Sequence, residues 1–433
     1  MKQMSTKELL AMRESQVPRG PYNVTPIFVE SARGAVLRDV EGREYIDFAG
    51  GIGVQNVGHC APEVVRAIQR QAERFIHTCF HVTMYESYIE LAKRLNELTP
   101  GDFHKKTFFL NSGAEAVENA IKISRYATKR PAVVAFENAF HGRTYMALTL
   151  TSQVDPYKWG FGPFCSEVYR IPFAYCYRCP LGLKYPACEV HCADFLKKCF
   201  VTHIAPDSVA AVIVEPVQGE GGIIVPPPEF LIKIQEICES SGILLIIDEI
   251  QTGLGRTGKL FASEHFGLAP DILLTGKSIA GGLPLAGVTG RTELMDLPHP
   301  GSLGGTYSGN PIACEAGLAV LNLLDRRLLQ RTVNMGERVK AAFMDLQTRF
   351  EIIGDVRGIG LMAGMELVKS RETKEPARHE THELVKRCYE KGLILLSCGV
   401  HQNVIRTLIP MVITDEQLET GLKILEEGFR EIA

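Results

Sequence analysis

The chain has 433 residues, 45% apolar and 22% charged, with a formal net charge of -3 at pH 7. That length accommodates two or three domains, and the composition is that of an ordinary globular protein. Near-neutral charge without a basic block argues against nucleic acid or an anionic membrane as partner, and no apolar run reaches the roughly 18 residues of a membrane span. The first twenty residues, MKQMSTKELLAMRESQVPRG, lack the apolar core of a signal peptide. Twelve cysteines in that context predict a reducing cytoplasm.

In chain order, residues 1–60 read as an N-terminal arm and part of a small domain. There GAVLRDVEGREYIDF predicts a hairpin turning at Glu41-Gly42. From Ala61 the pattern alternates. Helices PEVVRAIQRQAERF and ESYIELAKRLNEL precede a buried strand, KTFFLN, and then the helix GAEAVENAIKISRYATK. Next come the strands PAVVAF and AAVIVEP, the helix PEFLIKIQEICESSG, and the strands ILLIID and DILLTGK. Short continuous apolar runs between amphipathic helices predict a mostly parallel sheet covered on both faces, an α/β domain over 61–322. After Asn310-Pro311 one long helical run leads into a smaller α+β domain over 323–433, with β-like GLMAGMEL and VIRTLIPMVI.

Several short patterns fail on inspection. DEIQTGLGRTGK, Asp248 to Lys259, contains both GxGxxG and GxxxxGK. The first glycine stands too far from its strand, and the segment after Gly258, KLFASEHFG, is too short for a βαβ helix. The second pattern lacks the hydroxyl residue after Lys259 that would ligand a magnesium ion. Gly276-Lys-Ser-Ile-Ala280 misses the final glycine of a hydrolase elbow, and His379-Glu-Thr-His382 is one residue too tight for a zinc-protease helix.

The surroundings of the glycines are more informative. Asp248 ends an apolar strand, where open α/β sheets place ligands, and an unpaired buried carboxylate is costly. The next strand ends in Gly276-Lys277, followed by the small residues of SIAGGLPLAG. A lysine emerging from an apolar segment has a depressed pKa and attacks aldehydes readily. Carboxylate and lysine at neighbouring strand ends are the two anchors of pyridoxal phosphate: one keeps the ring nitrogen protonated, the other makes the Schiff base. The same pair could instead be a buried salt bridge. A phosphate site would be Ser112-Gly113-Ala114, between strand and helix, where free amides and the helix dipole attract anions. Ser112 and Glu115 also have capping-box spacing, and the two roles are compatible.

NSGAEAVENAIK, FHGRT, EPVQGEGG, IIDEIQTGLGRTG, TGKSIAGGLPLAG and GGTYSGNP, in this order, resemble the class-III aminotransferases, fold type I of the pyridoxal-phosphate enzymes. The resemblance implies a mostly parallel seven-stranded sheet with helices on both faces and a smaller α+β domain from the N- and C-terminal segments. It implies that Lys277 bonds the cofactor aldehyde and shuttles the proton, that Asp248 pairs with the ring nitrogen, and that Gln251 lies near the ring hydroxyl. Phe140 and Ile250 would cover the two ring faces, and His141 and Glu215 would support the cofactor layer. Ser112, Gly113 and Ala114 would take the phosphate together with Thr306 of the partner subunit, so a homodimer with shared active sites, or a dimer of dimers, is expected.

The expected reaction is ping-pong transfer between small-molecule amino and 2-oxo acids. Arg143 aligns with the residue that grips the distal carboxylate in 4-aminobutyrate aminotransferases, and Arg406 with the one that takes the α-carboxylate of 2-oxoglutarate. Glu220 matches the gate that pairs with that arginine, and Ile52 fits the same subgroup. A related racemase or epimerase, or a transaminase using ornithine, acetylornithine or another ω-amine, shares the cofactor motifs. A departure from the simplest members is a cysteine-rich insertion at about 172–195. Cys176, Cys179, Cys188 and Cys192 have spacings that suit zinc or an iron–sulfur cluster, with two disulfides or free thiols as the alternative.

Overall fold

A computed structural model describes residues 4–432, so residues 1–3 and 433 of the expected domain limits lie outside it. Its centre is a seven-stranded sheet in the order Lys105–Leu110, Ala286–Arg291, Ile272–Thr275, Leu244–Asp248, Val209–Val214, Ala132–Phe136, Val168–Ile171. All neighbours pair in parallel except Ala286–Arg291, which runs antiparallel to both strands beside it. The remaining six strands therefore end at one edge, and their following loops converge there.

Both faces of this sheet are buried, which is why its strands lack apolar–polar alternation. On one face Val133, Ala135, Ala211, Ile213, Ile246 and Leu274 pack with Ala116, Val117, Ala120 and Ile121 of the helix Gly113–Thr128. On the other, Val134, Phe136, Val212, Val214 and Ile247 meet Phe230, Leu231, Ile234 and Ile237 of the helix Pro228–Ser240. Alternate residues of each strand thus serve opposite layers.

The smaller part is built from both chain ends. The Glu41-Gly42 turn joins Val36–Asp39 to Glu44–Asp47 in an antiparallel hairpin, with Gly42 at φ +84. Leu393–Ile394 extends this N-terminal sheet in parallel. A second sheet, all antiparallel, has the order Ile353–Ile359, Met362–Leu367, Val404–Leu408, Leu396–Cys398. The expected long helical run is two helices, Pro311–Leu323 and Arg326–Arg349. Asp325 caps the second by accepting the Leu328 amide at 2.8 Å, which starts a separate helix there. Among the described residues no helix is long and apolar enough to cross a membrane.

Candidate active site

Five strands of the large sheet deliver a group to the shared edge. Asp248 is the last residue of its strand and is buried. Its Oδ2 lies 2.7 Å from His141 Nδ1, and its Oδ1 accepts the Ile250 amide at 3.1 Å. His141, beyond the strand Ala132–Phe136, is also buried. Glu215 follows Val209–Val214 and accepts the amides of Phe140 at 3.0 Å and Gly219 at 3.2 Å. It therefore fixes both the loop carrying Phe140 and the turn carrying Glu220. Burial pushes its carboxyl up to about 7; His141 opposes that rise and Asp248 reinforces it.

Lys277 follows Ile272–Thr275 with a left-handed φ of +46, a conformation that non-glycine residues adopt at an energetic cost. Burial lowers its pKa; Glu220 resists this and Arg406 adds to it. Its amine shares one electrostatic neighbourhood with Glu220, Arg406, Glu215 and Asp248. Among the described residues it has no hydrogen bond or ion pair, so no salt bridge to Asp248 takes up the lysine.

At the end of Lys105–Leu110, Ser112 caps the helix Gly113–Thr128. Its hydroxyl accepts the Glu115 amide at 3.3 Å, and Glu115 in return accepts the Ser112 amide at 3.0 Å. The first amides of a helix have no intrahelical acceptor, so Gly113 and Ala114 present free N–H groups at its positive end. A Cβ at Gly113 would come within 2.8 Å of Ile250 Cδ1, so glycine keeps this approach open.

A further group belongs to the smaller part of the fold. Arg406, on Val404–Leu408, is buried and lies 2.6 Å from Glu220 Oε1. Gln251 Nε2 donates to the same oxygen at 3.2 Å. Burial alone would raise the Glu220 carboxyl, but Arg406, and then Lys277, hold it down to about 2. Burial likewise works against the charge of Arg406, and Glu220 overrides it, so the guanidinium stays protonated. Ile52 lies in a left-handed turn, Gly50–Gly53, with φ of 53, 60, 64 and 75. A Cβ at Gly53 would stand 3.4 Å from Leu408 and 3.7 Å from Gln251, which places the turn at the same wall. Ile52 itself is exposed, as are Arg143 and Thr306.

Sequence reasoning missed Tyr157. Its ring meets Phe140 edge-on at 5.0 Å, and the Arg143 guanidinium lies 4.7 Å above it. It is also within electrostatic reach of Glu220 and Arg406, so it links the two arginines. The only local signal was an aromatic residue beside a proline in DPYKWG.

The expected zinc or iron–sulfur centre is not supported. Among the described residues no group of three or more His, Cys, Asp or Glu side chains could hold a metal ion. Cys176 is exposed, Cys179 and Cys188 are half-buried, and Cys192 turns into the apolar core beside Ala193 and Leu196. The four thiols are free; that of Cys192 is pushed up to about 11 by burial and then by the other three nearby. Polar contacts tie the insertion down instead. Arg178 donates to Glu366 at 2.5 Å, Tyr175 also donates to Glu366, and Lys374 donates to the Tyr177 carbonyl at 2.7 Å.

Three buried polar atoms at the site lack a partner among the described residues: His141 Nε2, Gln251 Oε1 and Arg406 Nε. Buried polar groups are normally satisfied, so a polar molecule belongs among them. Pyridoxal phosphate fits this donor set, with a carboxylate and an uncommitted amine at neighbouring strand ends and an anion cradle at a third.

The chain matches the class-III aminotransferase family over residues 18–429. It is 47% identical to the 4-aminobutyrate aminotransferase GabT of Escherichia coli K12 over 429 residues, 99% of each chain. It is 47% identical to the 5-aminovalerate aminotransferase DavT of Pseudomonas aeruginosa over 436 residues, again 99% of each. Among solved structures, a Bacillus anthracis aminotransferase superposes with a TM-score of 0.92 at 29% identity, covering 100% of both chains. An amine transaminase from an uncultivated Pseudomonas species, in its PLP-bound form, superposes at 0.88 with 28% identity and 97% coverage of each. The chain belongs to the class-III aminotransferases.

Proposed function

We propose that this aminotransferase moves the amino group of an ω-amino acid, such as 4-aminobutyrate, to 2-oxoglutarate in two alternating half-reactions. The observation that carries this reading is the 2.6 Å contact between Glu220 and Arg406, with Arg143 left exposed over Tyr157. With Arg406 neutralised, Arg143 is the cation available to a carboxylate at the far end of an ω-amino acid. Turning Glu220 away frees Arg406 to grip the α-carboxylate of 2-oxoglutarate, and an arginine–carboxylate fork is strong and geometrically selective.

When bound, pyridoxal phosphate supplies an electron sink for the carbon that carries the amino group. Asp248, oriented by His141, would pair with the ring nitrogen. Lys277, with its lowered pKa, takes the proton from the amino-bearing carbon and returns it one position away. Gly113 and Ala114 amides and Ser112 would receive the phosphate, Phe140 and Ile250 would enclose the ring, and Gln251 would lie near its hydroxyl. The names of the relatives, 4-aminobutyrate and 5-aminovalerate aminotransferase, support the donor class. A homodimer in which Thr306 of the partner subunit completes the phosphate site accounts for the exposure of that residue, and twelve free thiols fit a cytoplasmic location.

Steady-state kinetics of Arg143→Ala test the donor. The KM for 4-aminobutyrate is expected to rise about 10- to 100-fold, the size of a lost charge-assisted hydrogen bond, with the 2-oxoglutarate KM little changed. An unchanged 4-aminobutyrate KM would remove Arg143 from donor binding.

A further inference from the structure

The Glu220–Arg406 contact has to open and close once per turnover, yet the turn that carries Glu220 is held rigidly. Gln218 and Ile224 bond each other in both directions, and the Gly222 and Ile223 amides both donate to the Gly219 carbonyl. Ile223 sits at φ +53, a conformation that a β-branched residue holds only when its surroundings enforce it. The enforcing group is Arg357, on Ile353–Ile359. Its Nε and Nη2 donate to the Gly222 carbonyl at 3.0 and 2.7 Å, and its Nε reaches the Ile223 carbonyl at 3.2 Å. From the other side the Gly399 amide donates to the Glu220 carbonyl at 2.9 Å. Gly399 follows Leu396–Cys398, whose Leu396 is the register partner of Arg406. Backbone on both sides of Glu220 is thus referenced to the sheet that carries Arg406.

Arg357 is itself fixed. It lies 2.7 Å from Asp355, 2.8 Å from Glu366 and 2.8 Å from the Tyr175 hydroxyl, with its guanidinium 4.9 Å over the Tyr175 ring. Tyr175 opens the cysteine-bearing insertion, and Arg178 of the same insertion shares Glu366. One network therefore joins the insertion, the smaller domain and the turn beside Lys277.

We propose that Arg357 is a positioning residue for donor selection: it clamps the turn so that Glu220 leaves and regains Arg406 by side-chain rotation alone, and Tyr175 of the insertion steadies the clamp. The proposal rests on the reading of Glu220 as the donor gate. Without the clamp the turn relaxes away from Arg406. The bare cation then disfavours an ω-amino donor at the reacting carbon but still accepts the α-carboxylate of glutamate.

The test measures kcat/KM for 4-aminobutyrate and for glutamate in separate half-reactions of the holoenzyme. In Arg357→Met the ratio of the first to the second is expected to fall about tenfold, the scale of coupling through a shared hydrogen-bond network. Arg357→Lys, a point charge that cannot span both carbonyls, falls between. Tyr175→Phe, which keeps the ring and is the safer variant for folding, shifts the ratio in the same direction by less. Amide hydrogen exchange at 219–223 rises in each variant while the strands of the large sheet stay protected. Equal loss in both half-reactions, or an unchanged ratio in Arg357→Met and Tyr175→Phe, overturns the proposal. Glu220→Ala separates the two levels. If it shifts the ratio and the Arg357 variants do not, only the clamp is wrong; if it leaves the ratio unchanged, the gate fails and the clamp with it.

Discussion

A buried carboxyl that binds its proton near neutrality makes stability depend on pH, and Glu215 is such a group. Its value of about 7 lies above the 4.5 of an unperturbed glutamate, so between these limits the folded chain binds the proton more tightly than the unfolded one. The stabilisation is complete below pH 4.5 and disappears as pH rises through about 7. Its size is about 3 kcal/mol, from roughly 1.4 kcal/mol for each pH unit between the two values. Urea unfolding of the cofactor-free protein checks this. Relative to Glu215→Gln, the wild type is expected to lose stability from pH 4.5 to above pH 7, whereas parallel profiles would mean that the carboxyl is not raised. Residues such as Asp248 and Lys277 are legible in the sequence because an apolar strand announces its own end. Tyr157 and Arg357 are not, since their significance lies in partners far along the chain; Arg357 and the Gly222 carbonyl are 135 residues apart.

At the scale of elements, patterns that depend on local spacing carried through, including the Glu41-Gly42 hairpin and the capping box at Ser112. Two features did not. The antiparallel strand Ala286–Arg291 hides in AGVTGR, whose two glycines weaken any β signal, and it is defined by pairing with Lys105–Leu110 and Ile272–Thr275. The cysteine spacing suggested a metal, while the insertion is anchored through Glu366. That residue is buried, and burial would raise its pKa, but Arg357 and then Tyr175 hold it low. Removing it takes a buried carboxylate from both Arg178 and Arg357, a loss of about 3–5 kcal/mol for a broken buried pair. Thermal unfolding distinguishes the two anchors: Glu366→Ala is expected to melt well below the wild type, while dialysis against a chelator leaves the wild-type midpoint where it was. A midpoint that falls on chelation would restore the metal.

On the scale of the whole molecule, apolar surface remains that the described residues do not cover. The helix Thr6–Gln16 buries none of its residues, and Tyr22 just beyond it is 83% exposed. Ile76, Val82, Met84 and Tyr307 are exposed too, and the last meets the His77 ring at a tilt, 5.1 Å between centroids. Asn310 donates to the Ile76 carbonyl at 3.1 Å, so the segments 76–84 and 301–310 form one surface, with Thr306 on it. A patch of this kind at the surface of a monomer is the sort that the proposed two-fold homodimer would bury against itself. If Thr306 of the partner subunit completes the phosphate site, activity depends on residues from two chains and can be complemented. Lys277→Ala has no amine, and Thr306→Glu repels the phosphate, so each homodimer is expected to be inactive. In a heterodimer of the two variants, one site combines an intact Lys277 with an intact Thr306, and the other combines both lesions. Refolding the variants together in equal amounts gives half heterodimers, each with one working site, so about a quarter of wild-type activity returns for a symmetric dimer. Activity that stays at zero on mixing, or a Thr306→Glu homodimer that binds cofactor as the wild type does, would confine each active site to a single chain.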